Sequence, residues 1–475
     1  MSEVVWTAIG WFNYVVLTYF VLLNGVYLAT SLFAFGALRR YAQRMKSLDL
    51  TELIGSSAAP PISLLAPAFN EEPTCVESVR SLLTLEYPSY EVIVVNDGST
   101  DGTLERLTEA FALEPASRIA TATVTTAPVR QVYRSRTHPA LWLVDKENGG
   151  KADALNAGLN YCYTPIFCAM DADSLLEPES LIRIVRPFLE DARTVAAGGI
   201  LRIANGCLVD RGRVVRVGLP DNLLARFQVL EYLRVFLSGR MGWDALQATL
   251  IISGAFGVFR RSAVVAVGGY STDTVGEDME LVVRLHHHFG ARGIPYRIEF
   301  VPDPVAWTEC PESLAVLARQ RDRWQRGLLQ TLTRHRGMLF NPTYGKVGML
   351  AFPYFFFLEM LGPIIELLGY GAFAVTVLSG RADPLYVSAF IAVAVILGGV
   401  LSLSAVALEE LSFRRYPRLT DLLKLFGLAA LENLGYRQIN TWWRVKGTWS
   451  ALRRRKTWGK MTRRGFTTAD RGAAS

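Results

Sequence analysis

Tyr90 to Asp97 reads YEVIVVND, and a glycine-containing turn, Gly98 to Gly102 (GSTDG), follows before the helical pattern TLERLTEAF. A short run of β-formers closed by turn residues reads as a strand, and a strand that feeds a helix is half of a βαβ unit. The alternation continues on both sides. ISLLAPAF (Ile62–Phe69) and CVESVRSLLTL (Cys75–Leu85) come before it; LWLVDK (Leu141–Lys146), KADALNAGLNYC (Lys151–Cys162) and PIFCAMDAD (Pro165–Asp173) come after. This order predicts an α/β domain with a mostly parallel sheet. Ligands on such sheets bind outside the carboxyl ends of the strands, so the residues just after each strand are the ones to read for chemistry.

Two of those ends carry carboxylates. Asp171 and Asp173 flank one small residue, and on an extended strand end that spacing directs both to the same side. Two hard oxygen ligands with room for phosphates suit Mg²⁺ or Mn²⁺ better than zinc; a solvated turn is the plainer alternative. Asp97 stands before GSTDG either as part of a turn and helix cap or as a carboxylate facing a nucleotide base or ribose. NGGKADALN (Asn148–Asn156) sets two glycines and Lys151 ahead of a helix, where backbone N–H groups and a cation can meet an anion. It lacks the spacing of a Walker loop.

Further along, Gly276-Glu277-Asp278 opens the helical segment MELVVRLHHHFG. Acidic residues in a first turn are commonly dipole partners, yet the glycines of SGAFGVFRR (Ser253–Arg261) and VGGYST (Val267–Thr272) predict close packing against something bound. His286, His287 and His288 are consecutive, so they point to different helix faces; the expectation is solvated helix surface, not a metal cluster. In QRDRW, Gln320, Arg323 and Trp324 stand at i, i+3 and i+4 and share one face. There a guanidinium can grip phosphate oxygens and an indole can offer a flat apolar surface. An interfacial helix with a Trp belt residue is the alternative. Arg321 and Asp322 have no role that the sequence assigns.

Of the 475 residues 51% are hydrophobic, and the apolar excess is local. Val4 to Leu38 and Leu385 to Leu408 carry no charge, long enough to cross a bilayer. Arg39, Arg40, Arg44 and Lys46 follow the first run, which by the positive-inside rule places the N-terminus outside and the next region in the cytoplasm. Val347 to Leu358, with Pro353, is expected at the interface; Met360 to Ser379 is long enough to span and carries Glu366. Glu366 and Glu359 are read either as lining a wet path or as boundary residues. Leu419 to Trp443 is expected to be interfacial or re-entrant. From Arg437 to Ser475 there are eleven Lys or Arg against one Asp, interleaved with Trp442, Trp443, Trp449 and Trp458; beside apolar helices this favours anionic lipid headgroups and no nucleic acid. Five cysteines without metal spacing fit a reducing compartment.

Taken in order, APAFNEE and VVNDGSTDGT, ENGGKADALN, AMDADS, GEDMEL and QRDRW resemble the processive family 2 glycosyltransferases: hyaluronan, chitin-oligosaccharide, poly-N-acetylglucosamine and bacterial cellulose synthases. The resemblance implies a GT-A type, Rossmann-like catalytic domain in the cytoplasm that uses a UDP-sugar and a divalent cation. By motif, Asp97 would contact the uridine and Lys151 the nucleotide region. Asp171 and Asp173 would hold nucleotide and metal, Glu277 would take part in substrate binding and Asp278 would be the general base. Gln320, Arg323 and Trp324 would close over diphosphate and acceptor.

The expected organisation is a transmembrane anchor at 1–45, a GT-A domain at 60–340, a membrane region of transmembrane and interfacial helices at 345–445 and a basic cytoplasmic tail at 446–475. A cyclic-dinucleotide sensor of the cellulose synthase kind is not expected, and a single N-terminal span is fewer than in cellulose synthase. The expected function is a multi-pass inverting synthase of the plasma membrane. It would polymerise a β-linked polysaccharide from UDP-N-acetylglucosamine or UDP-glucose and translocate it. Its partners are the donor, the growing polysaccharide and membrane lipids, with room for an accessory membrane or export subunit. The alternative is transfer of a single sugar to a lipid carrier.

Overall fold

The computed structural model describes residues 3–45, 59–171, 174–210, 212–416 and 418–453. Asp173, Lys46 and the tail beyond Arg453 therefore lie outside the described residues. The strands are β1 (Ile62–Ala68), β2 (Tyr90–Asp97), β3 (Leu113–Pro115), β4 (Val129–Ser135), β5 (Leu141–Lys146), β6 (Ile166–Met170), β7 (Leu175–Leu176), β8 (Thr194–Ile203), β9 (Leu208–Asp210), β10 (Arg213–Arg216), β11 (Phe256–Arg260) and β12 (Arg297–Thr308). β9 and β10 pair by themselves, and the rest form one 10-stranded sheet in the order β3-β4-β5-β2-β1-β6-β11-β8-β12-β7.

β5, β2, β1 and β6 run parallel, as the alternating pattern predicts. FGVFR at β11 runs against its neighbours β6 and β8, and β4 runs against β5, so the sheet is mixed though mostly parallel. The helix Arg261–Ala266 follows β11 directly, so the strand–helix alternation carries no mark of its reversed direction.

The centre of β2, Val92 to Val95, is buried on both faces, as a central strand covered by helices must be. The helix Lys151–Tyr161 covers one face, and all its residues after Lys151 are buried. Gly158 lets it sit close: a Cβ there would lie 3.2 Å from Leu65 Cδ2.

Two helices are long and apolar enough to cross a membrane, Glu3–Met45 and Pro384–Ser412. Val347–Met360 and Gly362–Leu378, bent by 42°, add a third if the pair is one broken span. Leu419 to Trp443 is not one helix. It divides into Leu419–Leu431 and Tyr436–Leu452, with Gly435 at φ +108° between them.

The His286–His288 run departs from expectation. His286 is 2% exposed; its Nε2 donates to the Thr249 carbonyl at 2.8 Å, so Nδ1, 2.7 Å from the Tyr296 hydroxyl, accepts. Burial pushes it down to about 4. One of three consecutive residues on a helix that packs on a sheet must face inward, and here it is this one.

Candidate active site

The carboxyl edge of the sheet assembles the first half of the site. Asp97 and Lys146 are register partners on the last rung of β2 and β5, and Lys146 Nζ lies 2.5 Å from Asp97 Oδ1 and 2.7 Å from Asp153 Oδ1. Asp97 Oδ1 also accepts from Gly149 N (3.0 Å), and Oδ2 accepts from Gly150 N (2.7 Å) and Asn148 Nδ2 (3.2 Å). Its carboxylate is thus buried and occupied. The side chain braces the NGG loop from behind, because that loop leaves N–H donors that a buried carboxylate satisfies.

The braced loop delivers Lys151, the first residue of its helix. Lys151 Nζ lies 2.5 Å from Asp171 Oδ1, just past β6, and 3.1 Å from Glu277 Oε1. Burial would lower this ammonium, but Asp171, Glu277 and Asp278 outweigh it and hold it above its usual range. Asp278, in the first turn of the helix Glu277–Ala291, accepts from Gly254 N at 3.0 Å through Oδ2. Gly254 also faces Lys151: a Cβ there would stand 2.8 Å from its Nζ.

The second half is the helix Leu314–Arg334, capped by Ser313. Trp324 is 37% exposed. The guanidinium of Arg321 lies over its ring at 4.4 Å from the centroid, and Phe236 meets it edge-on at 6.5 Å. Arg321 is fixed by Glu231 at 2.7 Å, to which Tyr436 also donates at 2.8 Å. Asp322 pairs with Arg326 at 3.5 Å. Of the two residues of QRDRW left without a role, Arg321 thus packs on Trp324 and Asp322 pairs along the helix.

One cavity of about 770 Å³ is lined by Lys151, Asp171, Glu277, Asp278, Gln320, Arg323 and Trp324. Every described residue expected in the site faces it except Asp97. It extends between the membrane helices, where Glu366 and Glu359 also line it. Glu366 pairs with Arg437 (2.9 Å) and accepts from Thr441 (3.1 Å). Glu359 pairs with Arg444 (3.2 Å) and accepts from Tyr27 (2.9 Å) and Tyr354 (2.7 Å). Arg437 and Arg444, expected at lipid headgroups, instead turn inward, since a buried carboxylate needs a partner.

Among the described residues no group of three or more His, Cys, Asp or Glu is placed to hold a metal ion. Asp171, its side chain 31% exposed, nevertheless suits a hard cation that draws most of its ligands from a diphosphate and water, since such ions need only one or two protein carboxylates.

The mixed sheet with its charged cluster at the carboxyl edge is a GT-A fold. The chain belongs to the family described as Glycosyltransferase like family 2, whose profile matches residues 60–327. It is 29% identical over 297 residues to a poly-beta-1,6-N-acetyl-D-glucosamine synthase of Staphylococcus aureus, covering 62% of this chain and 60% of that one. It is 28% identical over 274 residues to the synthase of the same name from Staphylococcus epidermidis, covering 58% and 56%. The chain thus spans about 60% of the length of the curated relatives it matches. Among solved structures, mannosyltransferase PcManGT from Pyrobaculum calidifontis, in complex with GDP-Man and Mn2+, aligns with a TM-score of 0.49 and 20% identity, covering 87% of this chain and 99% of that one.

Sequence reading singled out the glycines around Gly254 but missed the roles of Glu231, Arg437 and Arg444. Those three lie far from any motif and act only through the fold.

Proposed function

We propose that the chain is a membrane-embedded inverting glycosyltransferase that extends a β-linked polysaccharide from a UDP-sugar and passes the product between its own membrane helices. The observation that carries this reading is the shared cavity: Lys151, Asp171, Asp278, Gln320, Arg323 and Trp324 line one space that continues past Glu359 and Glu366. The names of the relatives favour UDP-N-acetylglucosamine over UDP-glucose as donor.

In this reading Asp278 takes the proton of the acceptor hydroxyl as that oxygen attacks the anomeric carbon, and the diphosphate leaves from the opposite face. Lys151 and Arg323 place positive charge against the departing diphosphate. Asp171 and Asp173 would hold a divalent cation, Mg²⁺ or Mn²⁺, whose charge offsets that of the diphosphate. Glu277 holds Lys151 in position. Gln320 and Trp324 receive the acceptor sugar, the indole face matching the apolar face of a pyranose ring.

Residues 60–340 form the catalytic domain and lie in the cytoplasm, 1–45 anchor it, 345–445 form the remaining membrane region, and 446–475 meet lipid. Membranes containing the protein, incubated with a panel of labelled UDP-sugars, test the reading. Incorporation of N-acetylglucosamine into polymer is expected; UDP release from none of the donors overturns it.

A further inference from the structure

Arg240 lines the cavity and has no role in the proposed chemistry. It stands at the start of the short helix Arg240–Ala245, on the wall backed by the first membrane helix, where Gly242 packs so closely on Thr30 that a Cβ would lie 2.4 Å from its carbonyl oxygen. Ser238, two residues earlier, is within hydrogen-bond distance of Ser31 in that same helix (3.1 Å).

The Arg240 guanidinium lies flat against Phe236, 4.0 Å from the ring centroid. Phe236 in turn meets Trp324. Its Nη1 is buried without a hydrogen-bond partner. The other arginines of this wall are treated differently: Arg234 pairs with Glu432 at 2.8 Å and Arg321 with Glu231 at 2.7 Å. Burial pushes Arg240 down to about 10, opposed chiefly by the field of Asp278. A buried N–H left unpaired costs free energy that a ligand oxygen would recover.

We infer that Arg240 is an acceptor-binding residue: Nη1 donates to a neutral oxygen, hydroxyl or amide carbonyl, of the acceptor's terminal sugar and seats that sugar against Phe236 and Trp324 with its hydroxyl towards Asp278. This deepens the reading above and rests on it. Placement selects the acceptor over the donor. Lys151 and Arg323 already serve the diphosphate in that reading, whereas Arg240 is joined through Phe236 to Trp324 and backs onto the membrane helix along which the product would leave. Gln320 Oε1, on the same cavity, is also buried and unpartnered. The lining therefore offers both a donor and an acceptor, the combination that hydroxyl and acetamido groups answer.

The test compares wild type with Arg240→Met and Arg240→Lys in purified full-length protein. Wild type is assayed first with UDP-N-acetylglucosamine, and failure to form polymer there counts against the proposed function rather than against Arg240. UDP affinity is then measured by calorimetry with Mg²⁺ present, and KM for a short β-linked N-acetylglucosamine oligosaccharide by transfer. Arg240→Met should leave UDP affinity within twofold and the melting temperature unlowered, since it removes a buried N–H that has no partner, while raising acceptor KM at least tenfold. Arg240→Lys should fall between. UDP affinity that drops in parallel, an unchanged acceptor KM, or a melting temperature that falls by several degrees would each overturn the inference.

Discussion

Gly276 and Gly327 meet backbone to backbone: a Cβ built on either would lie 2.9 Å from the Cα of the other. Gly276 stands two residues before Asp278 and Gly327 three residues after Trp324, so this contact sets the separation of proposed base and proposed acceptor platform. Gly327→Ala forces the two helices apart. Misplacement of reacting groups by about 1 Å costs on the order of 10²-fold in rate, and overpacking about 1–3 kcal/mol in stability. We expect transfer to fall by roughly that factor, with UDP affinity retained; steady-state kinetics alongside calorimetry checks both.

Asp278→Asn keeps the hydrogen bond to Gly254 N in reach but removes the proton acceptor. Transfer should fall on the order of 10² to 10⁴-fold while UDP binding persists. Loss of UDP binding in a folded variant would remove Asp278 from the role of base.

Arg202 on β8 and Glu409 in the helix Leu397–Ser412 form a two-pronged ion pair at 2.8 and 2.9 Å, with both side chains almost wholly buried. It ties the sheet to a membrane helix. Glu409→Gln leaves the guanidinium uncompensated and should cost about 3–5 kcal/mol. Arg202→Met combined with Glu409→Met should cost less than the single change, as read by thermal unfolding in detergent.

Two groups, His286 buried and Asp244 half-buried, give opposite pH dependences. Burial raises Asp244 to about 7, opposed by the bond from Phe300 N and by Arg297 and reinforced by Glu299; burial lowers His286 to about 4. Between pH about 4 and 6.5 folded Asp244 holds a proton the unfolded chain has lost, so its contribution to stability falls as pH rises. His286 stays neutral when folded and is protonated when unfolded, so its contribution rises. The two slopes, each about 1.4 kcal/mol per pH unit, oppose one another in that window. Asp244→Asn should therefore make stability climb with pH relative to wild type, and His286→Gln should make it fall. Denaturant unfolding at pH 5 and pH 6.5 reads both signs.

β1, β2, β5 and β6 and the helices between them were legible because each has its own period and its own turn residues; β3 and β4, in the same stretch, were not read. β11 was not, since nothing local marks a strand as antiparallel to its neighbours. Lys151, Asp171 and Asp278 were legible as positions at strand ends and helix starts, where open sheets place ligands, whereas Trp324, in mid-helix, stood out only by sharing a helix face with Gln320 and Arg323. Asp97 stands at the same edge, and its bonds to the NGG loop could not be read from the sequence, because the loop lies about 50 residues further along the chain. The inward turn of Arg437 and Arg444 was hidden because their partners, Glu366 and Glu359, lie about 70 to 85 residues away, and no periodicity connects positions so distant.

The central claim is that one cavity repeatedly adds sugars to a retained chain. Purified protein incubated with labelled UDP-N-acetylglucosamine, with products resolved by size, tests it most directly. The account predicts a ladder extending to long chains that disappears in Asp278→Asn. A single labelled product of one added sugar, carried on lipid and unchanged with time, would contradict it.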